Sequence, residues 1–474
     1  MNKFASLLLL LLCILPSLPA QITADSSGTY LITRNNGKPF FWLGDTGWEL
    51  FHRLTRDEVI HYLETRRKQG FNVILSVALA EVDGIRRPNR YGDVPFKNLK
   101  TLEWDTTPGN NPKDSTAYDY WDHVDFVIRE AAKRKMYIGL LPAWGDKVVP
   151  GAAGPVIFTD EARAYRYAKE LTARYREQWN IIWILGGDRE SVEYKNNRIS
   201  ADYRPLWRAM ARAIEEACGK DVFITYHPRG GASTSKHLQQ EEWLDMHAIQ
   251  SSHGSREVRV WEAIAGDLKR TPRRPVMDME PCYEDHPVNP WDGKWTRSKR
   301  GYFDDYDVRA RIYRGVFAGG CGTVYGHHQI WQFVDTTRNA PIWVGDTIIG
   351  WQRALEANAA NQIHHLKELM LSHPDFHRVE DNSLIASDRG RDYRDELIAT
   401  RNQKGSYAMI YLPRPEPVTI HLDKLSEGRK TVSWFNPVTG KKKKVRGRFT
   451  SGKETFTPPS TDQKDWVLLI DVDS

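Results

Sequence analysis

Short apolar segments alternate with longer amphipathic segments through most of this chain. Residues 71–77 form a mostly apolar run that begins directly after Gly70, which is typical of a buried strand. Before it, residues 55–58 read Thr-Arg-Asp-Glu, a capping-box pattern, and apolar residues at helical spacing continue toward Gly70. The pattern therefore predicts a helix that leads into a buried strand.

The same unit recurs until eight strands can be counted. The predicted strands cover or lie within residues 38–43, 71–77, 136–142, 181–186, 222–227, 243–251, 275–280 and 322–326. The predicted helices include residues 120–135, 159–178, 205–218, 260–268 and 305–317. Near-continuous apolar strands separated by helices indicate a parallel sheet covered on its outside, and eight units predict a closed (β/α)8 barrel, the TIM barrel. A doubly wound open sheet is the alternative, but no Gly-rich phosphate loop follows the first strand.

The pattern of apolar and polar residues changes near residue 374. Short alternating runs such as 407–412, 418–422, 430–435 and 466–470 are separated by turn residues. This pattern predicts a small antiparallel β-sandwich domain. A helix over residues 350–372 is expected to close the barrel, so the expected divisions are a leader over 1–20, a barrel with an N-terminal hairpin over 21–372, and a β-sandwich over 373–474.

The first residues have the pattern of an export signal. Lys3 precedes an apolar run over residues 4–15, and Ala20 supplies a small residue for cleavage before Gln21. The apolar run is too short for a membrane span, which needs roughly 20 residues. We therefore expect an exported protein, periplasmic or secreted, without membrane insertion. A lipoprotein modified at Cys13 is the less favoured alternative, since small residues do not precede this cysteine.

Composition narrows the class of partner. The formal net charge of +6 is modest, and export makes nucleic acid an improbable ligand. The 17 Trp and 20 Tyr suit the flat faces of sugars, although core packing explains them equally well. The basic run over residues 441–448 fits a solvated hairpin face, with contact to an acidic polymer as the alternative. The oligomeric state stays open.

Polar residues that directly follow a barrel strand are the candidates for chemistry, because active sites of such barrels form at the carboxyl ends of the strands. These candidates are Asp45, Trp48, Trp144, Asp146, Asp188, Tyr226, His227, His253, Glu280, Glu284, His327, His328, Gln329 and Trp331. Their charged members are acidic. Hydrolysis of a glycosidic bond needs one group to protonate the leaving oxygen and another to attack or to activate water.

Asp188 after strand four and Glu280 after strand seven meet these needs, since the two strands lie across the barrel from each other. Each carboxylate also has a structural alternative. Asp188 could cap the next helix or pair with Arg189, and Glu280 and Glu284 could pair with barrel arginines.

The remaining candidates are expected to bind substrate. Trp48, Trp144 and Trp331 are predicted to form a stacking floor for sugars, with core packing as the alternative, and Asp45 either binds a hydroxyl or braces the barrel. Tyr226, His227, His253 and His328 are expected to line the wall of the pocket. The four histidines, His327 included, could instead bind a metal, but no close His-x-x-x-His or Cys pattern supports this, so no metal or cofactor is expected.

Four segments together resemble the apiosidase-like barrels of glycoside hydrolase family 140. They are residues 41–48 (Phe-Trp-Leu-Gly-Asp-Thr-Gly-Trp), 70–74, 183–188 (Trp-Ile-Leu-Gly-Gly-Asp) and 275–284. Residues 434–440 resemble the small β-domain that accompanies these barrels and is sometimes labelled collagen-binding. The resemblance implies cleavage of a linkage made by apiose in the pectin rhamnogalacturonan II, a plant cell-wall substrate.

The resemblance also implies catalytic roles. It gives Asp188 the role of acid/base and a glutamate of the strand-seven segment that of nucleophile, in a retaining mechanism. Residues 278–281 read Asp-Met-Glu-Pro where the family pattern usually reads Asn-Gly-Glu-Pro, so Glu280 is favoured and Glu284 is kept as the alternative. Two other functions remain open: a glycosidase of this fold acting on another pectic or hemicellulosic linkage, and a non-catalytic glycan-binding barrel.

Overall fold

The computed structural model describes residues 22–81, 84–151, 154–289, 300–338, 349–373 and 375–473, so the predicted leader lies outside the described residues. Eight parallel strands form one sheet in the order β5-β4-β3-β2-β1-β8-β7-β6. These strands are β1 (Trp42–Thr46), β2 (Val73–Val77), β3 (Tyr137–Leu141), β4 (Ile181–Gly186), β5 (Ile224–His227), β6 (His247–Ile249), β7 (Val276–Asp278) and β8 (Gly322–Tyr325). A parallel bridge between Thr225 and Met246 joins β5 to β6. The predicted (β/α)8 barrel is therefore confirmed.

Helices follow the barrel strands and cover the sheet from outside. They are α1 (Leu50–Arg53), α2 (Arg56–Lys68), α3 (Tyr120–Lys133), α4 (Glu161–Tyr175), α5 (Arg204–Cys218), α6 (Ser235–Leu238), α7 (Val260–Asp267), α8 (Asp305–Phe317), α9 (Trp351–Ala354), α10 (Asn358–Gln362) and α11 (His364–Leu371). The capping box predicted at Thr55 is present, because the side chains of Thr55 and Glu58 each accept the other residue's backbone N–H. Within the described ranges, every helix is too short or too polar to span a lipid bilayer.

The prediction of one helix over residues 350–372 was wrong, because this segment forms the three separate helices α9, α10 and α11. A long-range contact lies at the break between α9 and α10. The carboxylate oxygens of Glu284 lie 3.1 and 3.2 Å from the backbone nitrogen of Ala359, at the start of α10. A buried carboxylate there accepts an amide hydrogen that a new helix end would otherwise leave without a partner.

A buried ion pair ties the first strand to the helix that follows it. The Asp45 carboxylate accepts hydrogen bonds from Arg66 Nε and from the Tyr62 hydroxyl, both at 2.6 Å. Neither side chain of the ion pair has solvent exposure. Arg66 also donates to Gln69, whose amide reaches the carbonyl of Leu355. The pair therefore fixes α2 against the barrel and against the segment after α9.

Replacing Asp45 with Asn is expected to lower the free energy of unfolding by about 3 kcal/mol, because the Arg66 charge stays buried without its anion. Urea unfolding of the variant measures this loss. The matched control is Glu64→Gln at an exposed Arg67 pair, where we expect no measurable change. A variant with wild-type stability that no longer bound substrate would favour the hydroxyl-binding role of Asp45 instead.

The C-terminal part is a separate antiparallel β domain, as predicted. Its strands are β9 (Arg378–Glu380), β10 (Ile398–Asn402), β11 (Tyr407–Leu412), β12 (Val418–His421), β13 (Lys430–Phe435), β14 (Lys442–Lys444), β15 (Lys453–Phe456) and β16 (Trp466–Val472). Six of them form a sheet in the order β9-β10-β11-β16-β13-β14, and β12 pairs with β15. The lysines of β14 are exposed at the edge of the larger sheet. A buried ion pair between Arg309 and Asp465 joins this domain to α8 of the barrel.

Three small antiparallel sheets lie outside the barrel sheet and the C-terminal domain. They comprise Ile22–Ala24 with Leu31–Thr33 and Pro39–Phe40, Phe96–Asn98 with Glu103–Trp104, and Val192–Lys195 with Arg198–Asp202. The third follows β4 and contributes to the candidate active site, so we call it the β4 hairpin.

Candidate active site

The end of β4 makes a sharp turn at Gly186, Gly187 and Asp188. All three residues have positive φ angles, of 86°, 120° and 51° respectively. A Cβ atom on Gly187 would lie 2.8 Å from both the Gly145 nitrogen and the ring of Trp144. The glycines thus let the turn pass directly against the loop after β3, and they hold Asp188 in a conformation that L-residues rarely adopt. Such backbone strain is concentrated at functional sites.

The environment of Asp188 favours its protonated form. One carboxylate oxygen accepts a 3.3 Å hydrogen bond from the Gly230 amide, and the other lies 3.3 Å from Arg189 Nη1. Burial and the negative charge of Glu280 raise the pKa of Asp188, against the opposing effects of Arg189 and His227. A raised pKa suits a proton donor.

The environment of Glu280 favours the opposite state. Oε1 accepts from Gln250 at 2.8 Å and from His253 Nε2 at 3.1 Å, while Oε2 lies 3.1 Å from His227 Nε2. The contact with His227 is close but is not aligned as a hydrogen bond. Burial opposes the charge, but the contacts with His227 and His253 outweigh it and hold the pKa of Glu280 well below its usual range. The carboxylate therefore stays ionised, as a nucleophile requires.

Two histidines orient this carboxylate. His253 Nδ1 accepts the backbone N–H of Tyr283 at 3.3 Å, which leaves Nε2 to donate to Glu280. His227 Nδ1 lies 3.4 Å from the backbone nitrogen of Asp188, and its other nitrogen faces Glu280. One imidazole therefore contacts both candidate catalytic residues.

Aromatic side chains form the neighbouring wall. The rings of Trp48 and Trp144 lie 5.2 Å apart, and they lie 5.3 and 5.7 Å from the ring of His227. Trp48 Nε1 donates to the Tyr283 hydroxyl at 3.0 Å, and Trp331 packs in the same apolar cluster. Trp48 and Trp144 therefore lie against the histidine that contacts Glu280, and all three predicted tryptophans are buried, which favours the core packing that the sequence left open.

His328 is joined to this group through one further histidine. Its ring lies 4.7 Å from that of His286, which stacks 4.1 Å from His253. The predicted histidines thus form a continuous row of imidazoles that ends at the Glu280 carboxylate.

Glu284 lies elsewhere, although it is only four residues beyond Glu280. Its carboxylate accepts from the Tyr325 hydroxyl at 2.8 Å and from the backbone amide of Ala359. Burial raises its pKa to about 7, against the opposing effect of these hydrogen bonds. These contacts favour the structural role that the sequence left open for this residue.

Two other predicted substrate-binding residues also make structural contacts. The Asp45 carboxylate is engaged by Arg66, as described above, which favours the bracing role. The Tyr226 ring packs edge-on against Trp207 of α5, and its hydroxyl donates to the Arg189 carbonyl at 3.2 Å. Tyr226 therefore stabilises the segment that follows Asp188 rather than lining an open wall.

The sequence analysis missed three residues of the site, Gln250, Tyr283 and His286, the last of which links the rings of His328 and His253. Gln250 directly follows β6 and contacts Glu280, so the rule of polar residues at strand ends could have found it. Tyr283 has no such signal, because only the fold places its hydroxyl against Trp48 and its backbone N–H against His253.

A cavity of about 810 Å³ opens beside Asp188. It lies between the β4 turn and the β4 hairpin, and its lining includes Arg189, Glu190, Tyr194 and Arg229. Tyr194 is 52% exposed. The volume falls in the range of small-molecule binding pockets, and the lining is strongly polar.

Two family models match the chain. The model described as "Apiosidase-like, catalytic domain" matches residues 25–377, and "Putative collagen-binding domain of a collagenase" matches residues 379–471. No curated protein matches the chain.

Two solved structures are each 33% identical to the chain. One is described as a glycoside hydrolase and has a TM-score of 0.82. The matched region covers 96% of this chain and 97% of that protein's chain. The other is a glycoside hydrolase family 5 protein from Bacteroides vulgatus ATCC 8482, with a TM-score of 0.81 and coverages of 95% and 93%. The likeness extends over both the barrel and the C-terminal domain.

Proposed function

Because this chain belongs to the apiosidase-like family of glycoside hydrolases, we propose that it cleaves an apiosyl linkage in the side chains of the pectin rhamnogalacturonan II. The protein is a glycosidase with a (β/α)8 catalytic barrel. The match to a catalytic-domain model argues against a glycan-binding barrel without activity. The choice of an apiosyl substrate is supported by the family description and by the motifs in residues 41–48 and 183–188.

The opposite pKa shifts of two neighbouring carboxyl groups carry the mechanistic proposal. Asp188 has a raised pKa and Glu280 a lowered one, and such a pair separates the acid from the nucleophile. In the first step the Glu280 carboxylate attacks the anomeric carbon while Asp188 transfers its proton to the leaving oxygen. The glycosidic C–O bond breaks, and an ester between the sugar and Glu280 forms.

The second step reverses these roles. Ionised Asp188 removes a proton from water, the water oxygen attacks the anomeric carbon, and the bond to Glu280 breaks. The sugar leaves with its original anomeric configuration, so the proposed enzyme is retaining. His227, His253 and Gln250 keep Glu280 in place for both steps through the contacts that surround its carboxylate.

The position of the cavity suggests where the two parts of the substrate bind. Asp188 protonates the leaving oxygen, so the leaving group lies on the Asp188 side, where the polar cavity of about 810 Å³ opens. The sugar that is attacked lies beside Glu280, next to the buried rings of Trp48 and Trp144.

The test is incubation of the wild-type protein with rhamnogalacturonan II oligosaccharides, followed by identification of the newly formed reducing end. We expect an apiosyl reducing end, with the initial product anomer matching the substrate when followed by NMR. Xylan, mannan and other pectic oligosaccharides serve as parallel substrates. Hydrolysis of one of these substrates without any apiosyl product would refute the proposed substrate but not the assignment as a glycosidase. A first product of inverted anomeric configuration would refute the covalent step.

A further inference from the structure

A second cavity, of about 330 Å³, lies between the barrel and the C-terminal domain. It is lined by α8, by the segment around Arg256 and Trp261, and by loops of the C-terminal domain near Tyr393 and Arg414. None of these residues belongs to the candidate active site. The catalytic proposal therefore leaves this cavity without a role.

The cavity contains a buried cationic group that lacks a full set of partners. Arg314 of α8 is 3% exposed, and its Nε donates to the carbonyl of Glu396 at 3.0 Å. Its Nη2 has no hydrogen-bond partner among the described residues. The guanidinium lies 4.9 Å from the ring centroid of Trp261. A buried guanidinium nitrogen without a partner is costly, so its presence beside a cavity points to a ligand that accepts its hydrogen bonds.

The electrostatics of Arg314 agree with this interpretation. Burial lowers the pKa of its guanidinium, and the opposing effects of Tyr411, Tyr306, Glu396 and Asp395 do not offset it. An anion bound in the cavity would stabilise the buried positive charge of Arg314.

The rest of the lining has an excess of positive charge. Five arginines line the cavity against two aspartates: Arg256, Arg311, Arg314, Arg394 and Arg414 against Asp304 and Asp307. Asp307 pairs with Arg256 at 2.9 Å, Asp304 with Lys464 at 3.1 Å, and Arg414 with Asp395 at 2.6 Å. In the part of the chain that the structure describes, the lining arginines left without an ion-pair partner are Arg311, Arg314 and Arg394. The cavity therefore selects for a negatively charged ligand.

We propose that this cavity binds the carboxylate of an acidic sugar, a hexuronate, through Arg314. The volume is at the lower end of ligand pockets and suits one monosaccharide. A guanidinium presents parallel N–H groups that match a carboxylate. Trp261, Tyr306 and Tyr393 add ring surfaces that a compact inorganic anion would not use. The inference goes beyond the proposed function, because it concerns binding at a site separate from the Asp188 and Glu280 carboxyls.

The test is isothermal titration calorimetry of the full chain with D-galacturonate. D-galactose is the matched ligand control, since it differs only in having an uncharged hydroxymethyl group in place of the carboxylate. Sodium sulfate represents a free inorganic anion. We expect one galacturonate per chain, at least about tenfold weaker binding by Arg314→Met, and no detectable binding of galactose. Glu280→Gln should bind galacturonate as the wild type does, which separates this cavity from the active site.

Three outcomes would overturn the proposal: equal galacturonate affinity in the wild type and Arg314→Met, equal affinity for galactose, or sulfate binding as tight as that of galacturonate. If Arg314→Met does not fold, Arg394→Gln, at the exposed rim of the cavity, replaces it. We expect this variant to bind galacturonate more weakly than the wild type does, and unchanged binding would contradict the proposal. Because no turnover is measured, a failed apiosyl assay has no bearing on this result.

Discussion

Glu280→Gln is expected to lower kcat by at least about 10⁴-fold, because the variant cannot form the covalent bond to the anomeric carbon. The amide fills the same space and keeps contacts with Gln250 and His253, so the fold should persist. Steady-state kinetics together with a thermal unfolding curve separate loss of chemistry from loss of structure. Mass spectrometry with a slow, activated substrate should detect a glycosyl adduct in the wild type and none in the variant.

Glu284→Gln is the matched control for this experiment. It makes the same chemical change four residues away, at a side chain that contacts Tyr325 and Ala359. We expect kcat within about threefold of the wild type and a lower Tm, since a buried acceptor for a helix end is weakened. Loss of turnover in Glu284→Gln combined with an active Glu280→Gln would reverse the assignment of the nucleophile.

Asp188→Asn is expected to lower kcat/KM by about 10²- to 10⁴-fold for natural linkages, the usual contribution of general acid catalysis. The loss should be much smaller for an activated aryl glycoside, whose leaving group needs no proton in the first step. Comparison of the two substrates on the same variant provides the measurement. Equal losses on both would indicate that Asp188 positions the substrate instead of donating a proton.

The pH profile gives an independent measure of the same residue. Burial and the charge of Glu280 raise the pKa of Asp188, so its protonated form persists above the usual range of aspartate. The value of kcat/KM should therefore fall as pH rises through this raised pKa, because the acid form is lost. This alkaline decline should disappear in Asp188→Asn, and its persistence would assign the decline to another group.

Local patterns were sufficient to predict most of the fold. The predicted helix over residues 305–317 agrees with α8, and the capping box at Thr55 marks the start of α2, because both depend on neighbouring residues. The break between α9 and α10 could not be predicted in this way. The helix end there contacts the Glu284 carboxylate, which lies 75 residues earlier in the sequence.

Part of the candidate site could also be predicted from local sequence patterns. Position at a strand end selected Asp188, Glu280, His227 and His253. In the structure both histidines contact the Glu280 carboxylate, and His227 also lies against the backbone nitrogen of Asp188. The same rule could not distinguish Glu280 from Glu284, because both follow β7 and only their contacts differ. It also left open whether Asp45 binds a hydroxyl or braces the barrel, and its ion pair with the arginine of the next helix favours bracing.

The close contact between Gly187 and Trp144 restricts how this enzyme can diversify. Any side chain at residue 187 would collide with the Trp144 ring, so the turn that carries the proposed acid, Asp188, tolerates little change. The β4 hairpin, across the cavity, should tolerate substitution, since its Tyr194 and Ile199 side chains are more than half exposed. Selection for new leaving groups can therefore act on the hairpin while the reaction itself is preserved, and directed evolution of specificity should begin there.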